Sequence, residues 1–308
     1  MNIYILSIVA CIILVILGFF ILGLDKIIAN PLIVKDNITS NTIDTESNTI
    51  QNANNTTDNV KVQDNSSLFF VSSNKEDYVG KTESGVEGYS RYILTPKEEN
   101  RQLYDSLGPK NANQTTVVIV PMFTFLAYSD HGFYDYYAGK CDKECLTVSA
   151  TVEVSKLKFS YSSSEMAYRV FGILGYDLIS DVDVDKDPSL LTKYDRVILL
   201  HNEYVTKKMF NVITHHPKVI YLYPNALHAE VLADYENNSI TLLRGHGYPE
   251  KTIENGFDWK YDNTHPYEFD NECKNREFYK IDNGFMLNCY PENIIYNDIK
   301  LLQIIRDL

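Results

Sequence analysis

Two short apolar runs that stop abruptly in polar, aromatic loops constrain this chain more than any other feature. Residues 117–137 read VVIVPMFTFLAYSDHGFYDYY, and residues 194–205 read YDRVILLHNEYV. Unbroken runs of β-branched and apolar side chains suit strands buried on both faces of a parallel sheet, and such strands deliver functional groups at their carboxyl ends. The first loop offers Tyr128, Asp130, His131 and Tyr134; the second offers His201 and Glu203. If the two strands are neighbours, those groups share one crevice.

The surrounding pattern alternates strand and helix. Residues 89–94 read as a strand, 96–107 as a helix opened by Pro96, 116–122 as the first buried strand and 146–154 as a further one. Ser164 suits a cap ahead of EMAYRVFGILG, in which Ala167, Val170, Phe171 and Leu174 recur at helical spacing and Gly175 is the stop. Strands at 176–180, 196–200 and 218–223 follow, separated by a short helix from Asp187-Pro188 and a helix over 206–215. Asn225 reads as the cap of a helix over ALHAEVLADY, residues 239–243 pair back, and an amphipathic helix closes the chain from Asp298 to Leu308. This predicts an α/β fold: a doubly wound, mostly parallel, flavodoxin-like sheet with helices on both faces. In that winding the first and third strands lie side by side and ligands bind at their carboxyl ends. Counting strands from Thr116, Tyr176 and Arg196 makes those two the runs above.

The amino end has a different character. Ile3 to Leu24 is apolar without one charge, long enough to cross a bilayer core of about 30 Å. With no basic n-region and no A-x-A after Leu24, it reads as an uncleaved transmembrane anchor over residues 1–25. Only Lys26 flanks it, so the positive-inside rule leaves orientation open. Residues 26–75 read as a disordered Asn/Thr/Ser-rich stalk, and 76–308 as the globular ectodomain. Glycosylation acceptors at Asn37, Asn54, Asn55, Asn65, Asn113 and Asn237 suit export, which puts a single-pass protein in the cell membrane with its domain outside the cytoplasm. So do Cys141 and Cys145, and Cys273 and Cys289, in two sequence-local pairs; disulfides, a four-thiolate zinc site and free thiols are the alternatives, and CDKEC is not the common zinc C-x2-C knuckle. Cys11 lies within the span as a packing residue. A net charge of -13 provides no basic stripe for phosphates, so nucleic acid is not an expected partner.

FTFLAYSDHGFYDYY resembles the T-x-x-A-Y-N-x-x-G-G-x-S-L-Y segment of the large subunit of N,N-dimethylformamidase and its relatives. LLHNEYVTKKM is similar to that family's H-x-E-Y-W-[ST]-x-x-M, and KVIYLYPNALHAEV to the strand and G-G-N turn that follow. The likeness spans about residues 89–231. It implies a class I glutamine-amidotransferase-like fold without the amidotransferase cysteine, and a mononuclear iron (Fe3+) held by two tyrosinates and one glutamate. Carried over, Tyr128 and Glu203 are metal ligands, His201 is the acid/base histidine, and the second tyrosine is Tyr89, with Tyr92 as the other choice. Phenolate and carboxylate are hard oxygen donors that suit such an ion.

The departures are also informative. His131-Gly132-Phe133-Tyr134 stands in the G-G-x-S stretch, Val205 replaces the tryptophan, and Tyr223-Pro224-Asn225 replaces G-G-N, so the pocket wall differs. Asp130 and His131 could add ligands, with zinc as the alternative ion. Glu250 and Glu268 are candidates for the family's late acid, Asn225 and His246 for the pocket, and His265 for its rim. His215 and His216 read as the polar end of a helix. The expected function is metal-dependent hydrolysis of a small amide. The alternative is a non-catalytic binding or envelope protein that meets a cell-surface ligand on the same fold.

Overall fold

The computed structural model describes residues 61–62, 68–74, 91–109, 114–129, 131–149 and 164–308. Along the chain, β1 (Lys61–Val62), β2 (Phe69–Asn74) and β3 (Arg91–Pro96) make an antiparallel three-stranded sheet. Helix α1 (Arg101–Leu107) leads into β4 (Thr116–Val120), α2 (Met122–Ala127) and α3 (Phe133–Tyr137). β5 (Thr147–Ser149), α4 (Glu165–Ile173), β6 (Asp177–Ser180), α5 (Asp181–Lys186) and β7 (Arg196–Leu199) follow. Then come β8 (Tyr204–Val205), α6 (Lys207–His215), β9 (Val219–Tyr221), β10 (Ala229–Asp234) and β11 (Ser239–Arg244). The chain closes through α7 (Thr264–Tyr267), the hairpin β12 (Phe278–Ile281) and β13 (Gly284–Leu287), and α8 (Ile299–Asp307).

The central sheet has the order β12-β13-β9-β7-β4-β6, parallel from β13 to β6, with β12 antiparallel at one edge. Strands β4, β7 and β9 are buried on both faces, and the pleat divides their side chains between two cores. Val118, Ile198 and Ile220 pack on one side with Leu107, Phe171 and Leu302 from the helices and with Leu68 and Phe69 from the small sheet. Val117, Ile119, Leu199 and Tyr221 pack on the other side with Phe123, Met209 and Ile213, and with Val231, Ile240 and Leu242 of a second sheet. That sheet has the order β5-β11-β10-β8. Arg196 is buried at the amino end of β7, where Nη1 donates to the carbonyls of Ile305 (3.3 Å) and Arg306 (3.0 Å) and so satisfies the last turn of α8.

Three expectations are corrected. No helix among the described residues is long and apolar enough to cross a membrane, and the span expected over Ile3 to Leu24 lies outside the described residues. The fold is mixed α/β: the central sheet has the expected parallel winding, with β4 between β6 and β7 and helices on both faces, but two further sheets, β1-β2-β3 and β5-β11-β10-β8, accompany it. The segment ALHAEVLADY is not a helix: after a turn at its start, Ala229–Asp234 form strand β10, paired parallel to β8 and antiparallel to β11. Asn225 (φ 66) and Leu227 (φ 58) turn the chain left-handed just before it, which stops helical propagation, and Ala229 and Val231 then face the core on a period of two. Residues assigned to the stalk also belong to the domain, because Leu68 and Phe69 are buried and β1 and β2 pair within it.

Candidate functional site

Every strand of the parallel core ends on the same side, and β4 lies directly between β6 and β7. The chain beyond β4 turns at once into α2, which ends at Tyr128; the chain beyond β7 runs through His201, Asn202 and Glu203 into β8. Thr124 joins the two: its Oγ1 accepts from the backbone N–H groups of Glu203 (3.0 Å) and Tyr204 (3.3 Å). The Glu203 carbonyl in turn accepts from the N–H groups of His228 (3.0 Å) and Ala229 (2.9 Å), so both faces of this peptide are fixed.

The Glu203 side chain is fully buried and forms a hub. Tyr128 Oη donates to Oε2 at 2.9 Å, and Tyr134 Oη lies 2.6 Å from Tyr128 Oη and 3.2 Å from Oε1. His246 Nε2 reaches Oε1 at 2.5 Å, and His201 Nε2 stands 3.5 Å from Oε2. His246 is aimed inwards by an unusual turn: it has φ 50 between Gly245 (φ 124) and Gly247 (φ 75), and a Cβ at Gly245 would come within 2.8 Å of the Ala229 Cβ. Gly132 has a comparable role, since a Cβ there would lie 2.4 Å from the Ala127 carbonyl oxygen, and its absence lets α3 bring Tyr134 over Tyr128.

Burial opposes ionisation of Glu203, but the charge and hydrogen bond of His246, with the charges of His201 and His228, outweigh it and hold the carboxyl at about 2. Burial, and then the Glu203 charge, push the Tyr128 and Tyr134 phenols well above their usual value. The hub is therefore one carboxylate facing neutral phenols, with imidazoles around it. Around it His228 is held through Nδ1 by Asp262 (3.1 Å) and Thr264 (2.9 Å), with its ring 4.4 Å from that of His246. Tyr290 Oη meets His201 Nδ1 at 3.2 Å, and Tyr223 lies against the same ring.

Of the residues singled out in the sequence, the structure brings Tyr128, Tyr134, His201, Glu203 and His246 together. His131 is not among them: it is exposed, its N–H is bonded to Asp135 at 3.0 Å, and it lines a hollow beside Cys141 and Cys145. Asn225 faces Glu268 (3.4 Å), which also pairs with His265 (3.2 Å). Tyr89 and Asp130 lie outside the described residues, as does the side chain of Tyr92. Four of the five cysteines form two disulfides, Cys141–Cys145 and Cys273–Cys289, so these four are neither thiolate ligands nor free thiols. Sequence reasoning missed His228, Asp262, Tyr290 and the buried acid Glu292, which Tyr223 Oη and the Met166 N–H (2.6 Å) both contact. Only Tyr290 carried a local signal, its place next to Cys289.

Among the described residues, no group of three or more His, Cys, Asp and Glu side chains is placed to hold a metal ion. The donor set here is instead two phenols and a carboxylate flanked by imidazoles. The oxygens stand 2.6 to 3.2 Å apart, close to the spacing of neighbouring ligands around a cation bound at about 2.0–2.2 Å. The second tyrosine expected as a ligand, Tyr89, lies outside the described residues and Tyr134 stands beside Tyr128 instead; these oxygens are hard donors at a spacing that fits a trivalent iron. No protein-family model matches the chain, and no curated protein sequence matches it.

Proposed function

We propose that the protein is a metal-dependent hydrolase of C–N amide bonds, with iron as the ion and zinc as the alternative. The observation that carries this reading is the meeting of Tyr128, Tyr134 and Glu203 oxygens in a cluster whose carboxylate is fully buried and whose outer phenol, Tyr134, reaches solvent, flanked by His201 and His246. Tyr128, Tyr134 and Glu203 would hold the ion. When bound, it would supply Lewis-acid polarisation of an amide carbonyl and a water made more acidic. The chain's own groups account for the rest. His246 holds the Glu203 carboxylate in place by its hydrogen bond, and Tyr290 orients His201 through Nδ1, which leaves Nε2 towards the cluster to carry a proton to the leaving amine. Two disulfides suit an oxidising compartment as the place of work.

A second reading rests on the pairing of both Glu203 oxygens with Tyr128, Tyr134 and His246: a binding protein in which the cluster is only a structural hub. Metal analysis of the purified protein after exposure to ferric and zinc ions separates the two. The hydrolase reading expects one ion per chain, a visible tyrosinate charge-transfer band with iron, and loss of both in Glu203→Ala and Tyr128→Phe. A colourless, metal-free protein under both conditions refutes it.

A further inference from the structure

Asp181 sits where three parallel strands of the central sheet end. It comes directly after the last residue of β6, its side chain is fully buried, and Oδ2 accepts from two directions. One donor is the N–H of Phe123 (3.1 Å), in the first turn of the helix that ends at Tyr128. The other is Nδ2 of Asn202 (3.4 Å), the residue before Glu203. One oxygen thus ties together the two segments that carry the hub.

The remaining atoms do not balance. Oδ1 of Asp181 and Oδ1 of Asn202 are both buried acceptors with no hydrogen-bond donor. The amides of Met122 and Val182 act on the carboxyl from nearby without completing a bond to Oδ1. Each orphan of this kind costs about 1–3 kcal/mol. Tyr235, from the turn after β10, meets the charges of Asp181, Asp183 and Asp185 together, and among the described residues no cation is paired with Asp181. The nearby Lys208 is drawn to Asp185 (3.8 Å).

We infer that Asp181 and Asn202 form a cyclic acid–amide pair, in which a proton on Oδ1 of Asp181 is donated to Oδ1 of Asn202 while Nδ2 of Asn202 donates to Oδ2 of Asp181, and that this pair positions the Glu203 loop against the Tyr128 helix. One proton satisfies both orphaned oxygens at once. Burial pushes the Asp181 carboxyl up to about 8, against the amides of Phe123, Met122 and Val182 and the Asn202 side chain, which keeps the proton in place at neutral pH. The pair works in parallel with Thr124, so a side-chain clasp and a backbone clasp hold the same two segments.

The inference rests on reading Tyr128 and Glu203 as the working groups, but its test does not involve their ion. The intact protein, labelled with carboxyl-13C aspartate and free of added metal, is monitored by NMR from about pH 4 to about pH 9. One aspartate resonance should remain at its protonated position at about pH 6.5, shift near pH 8, and vanish in Asp181→Asn. Ionisation of every aspartate by about pH 6.5 overturns the pair and assigns the two oxygens to a bound water or cation. Asp181→Asn places an N–H2 where the acid O–H stood, so it should fold and melt at or above the wild-type temperature, whereas Asp181→Ala should melt lower. A substitution by asparagine that harms the fold as much as alanine also overturns the pair. A failed metal analysis leaves the resonance untouched, so the two readings fail separately.

Discussion

Exchange of Asp181 for asparagine should change how stability depends on pH, and the size of the change is set by where the carboxyl sits. Burial raises it from 3.8 to about 8 in the folded chain. Below about pH 4 the folded and unfolded states both hold the proton, and the carboxyl adds no pH dependence. Between about pH 4 and pH 8 the folded state retains a proton that the unfolded chain releases, so stability falls by about 1.4 kcal/mol per pH unit. About three such units separate the unfolded value from neutrality, so by pH 7 the wild-type chain has lost about 4 kcal/mol from this group. Above about pH 8 both states are ionised and the loss levels off. The asparagine variant carries no such proton, so its advantage should open with that slope and reach about 4 kcal/mol at pH 7. Urea denaturation of both chains, monitored through the single tryptophan, Trp259, at several pH values measures it directly. Two stability curves that run parallel across that range would refute the reasoning.

Glu203→Gln removes a charge and leaves one of Tyr128, Tyr134 or His246 facing an amide N–H2; it should cost about 3 kcal/mol, and an unchanged urea midpoint would show that the hub adds nothing to folding. Gly284→Ala would place a Cβ 1.8 Å from the Val219 carbonyl oxygen and push β13 off β9; a loss of about 2–4 kcal/mol is expected by thermal denaturation, and wild-type stability would count against that strand pairing. Cys289→Ser opens the loop closed by Cys273 at a separation of 16 residues and should cost about 3 kcal/mol, measured by denaturation with and without reductant; equal stability in the oxidised protein argues against the bridge.

The two strand ends that build the site were legible because residues 117–120 and 197–200 are buried on both faces and so read as continuous apolar runs. The loop at the carboxyl end of such a run stands out by its polar and aromatic composition alone, which is why Tyr128, Tyr134, His201 and Glu203 could be singled out. The ALHAEVLADY segment was misread because alanine, leucine and glutamate favour helix locally, whereas pairing with β8 and β11 decides its structure. His228 and Asp262 lie 34 residues apart, and Tyr223 and Glu292 lie 69 apart. Such partners are chosen by how the segments flanking the β12–β13 hairpin settle once it has joined the sheet edge beside β9, a tertiary event with no local pattern. His246 shows an intermediate case: the Gly-His-Gly triplet marks a turn, but only packing on Ala229 shows which way it faces.

The hub draws on segments far apart along the chain, with 75 residues between Tyr128 and Glu203 and 43 between Glu203 and His246. Chain closure over such distances costs entropy that is recovered only when the intervening strands have docked. Assembly of the cluster is therefore a late event, and no fragment limited to β4 through β9 contains all of its members. The phenols and imidazoles around Glu203 report on the completed chain: a quenched or shifted tyrosine signal there would mark the last step of maturation, after the sheet itself has formed.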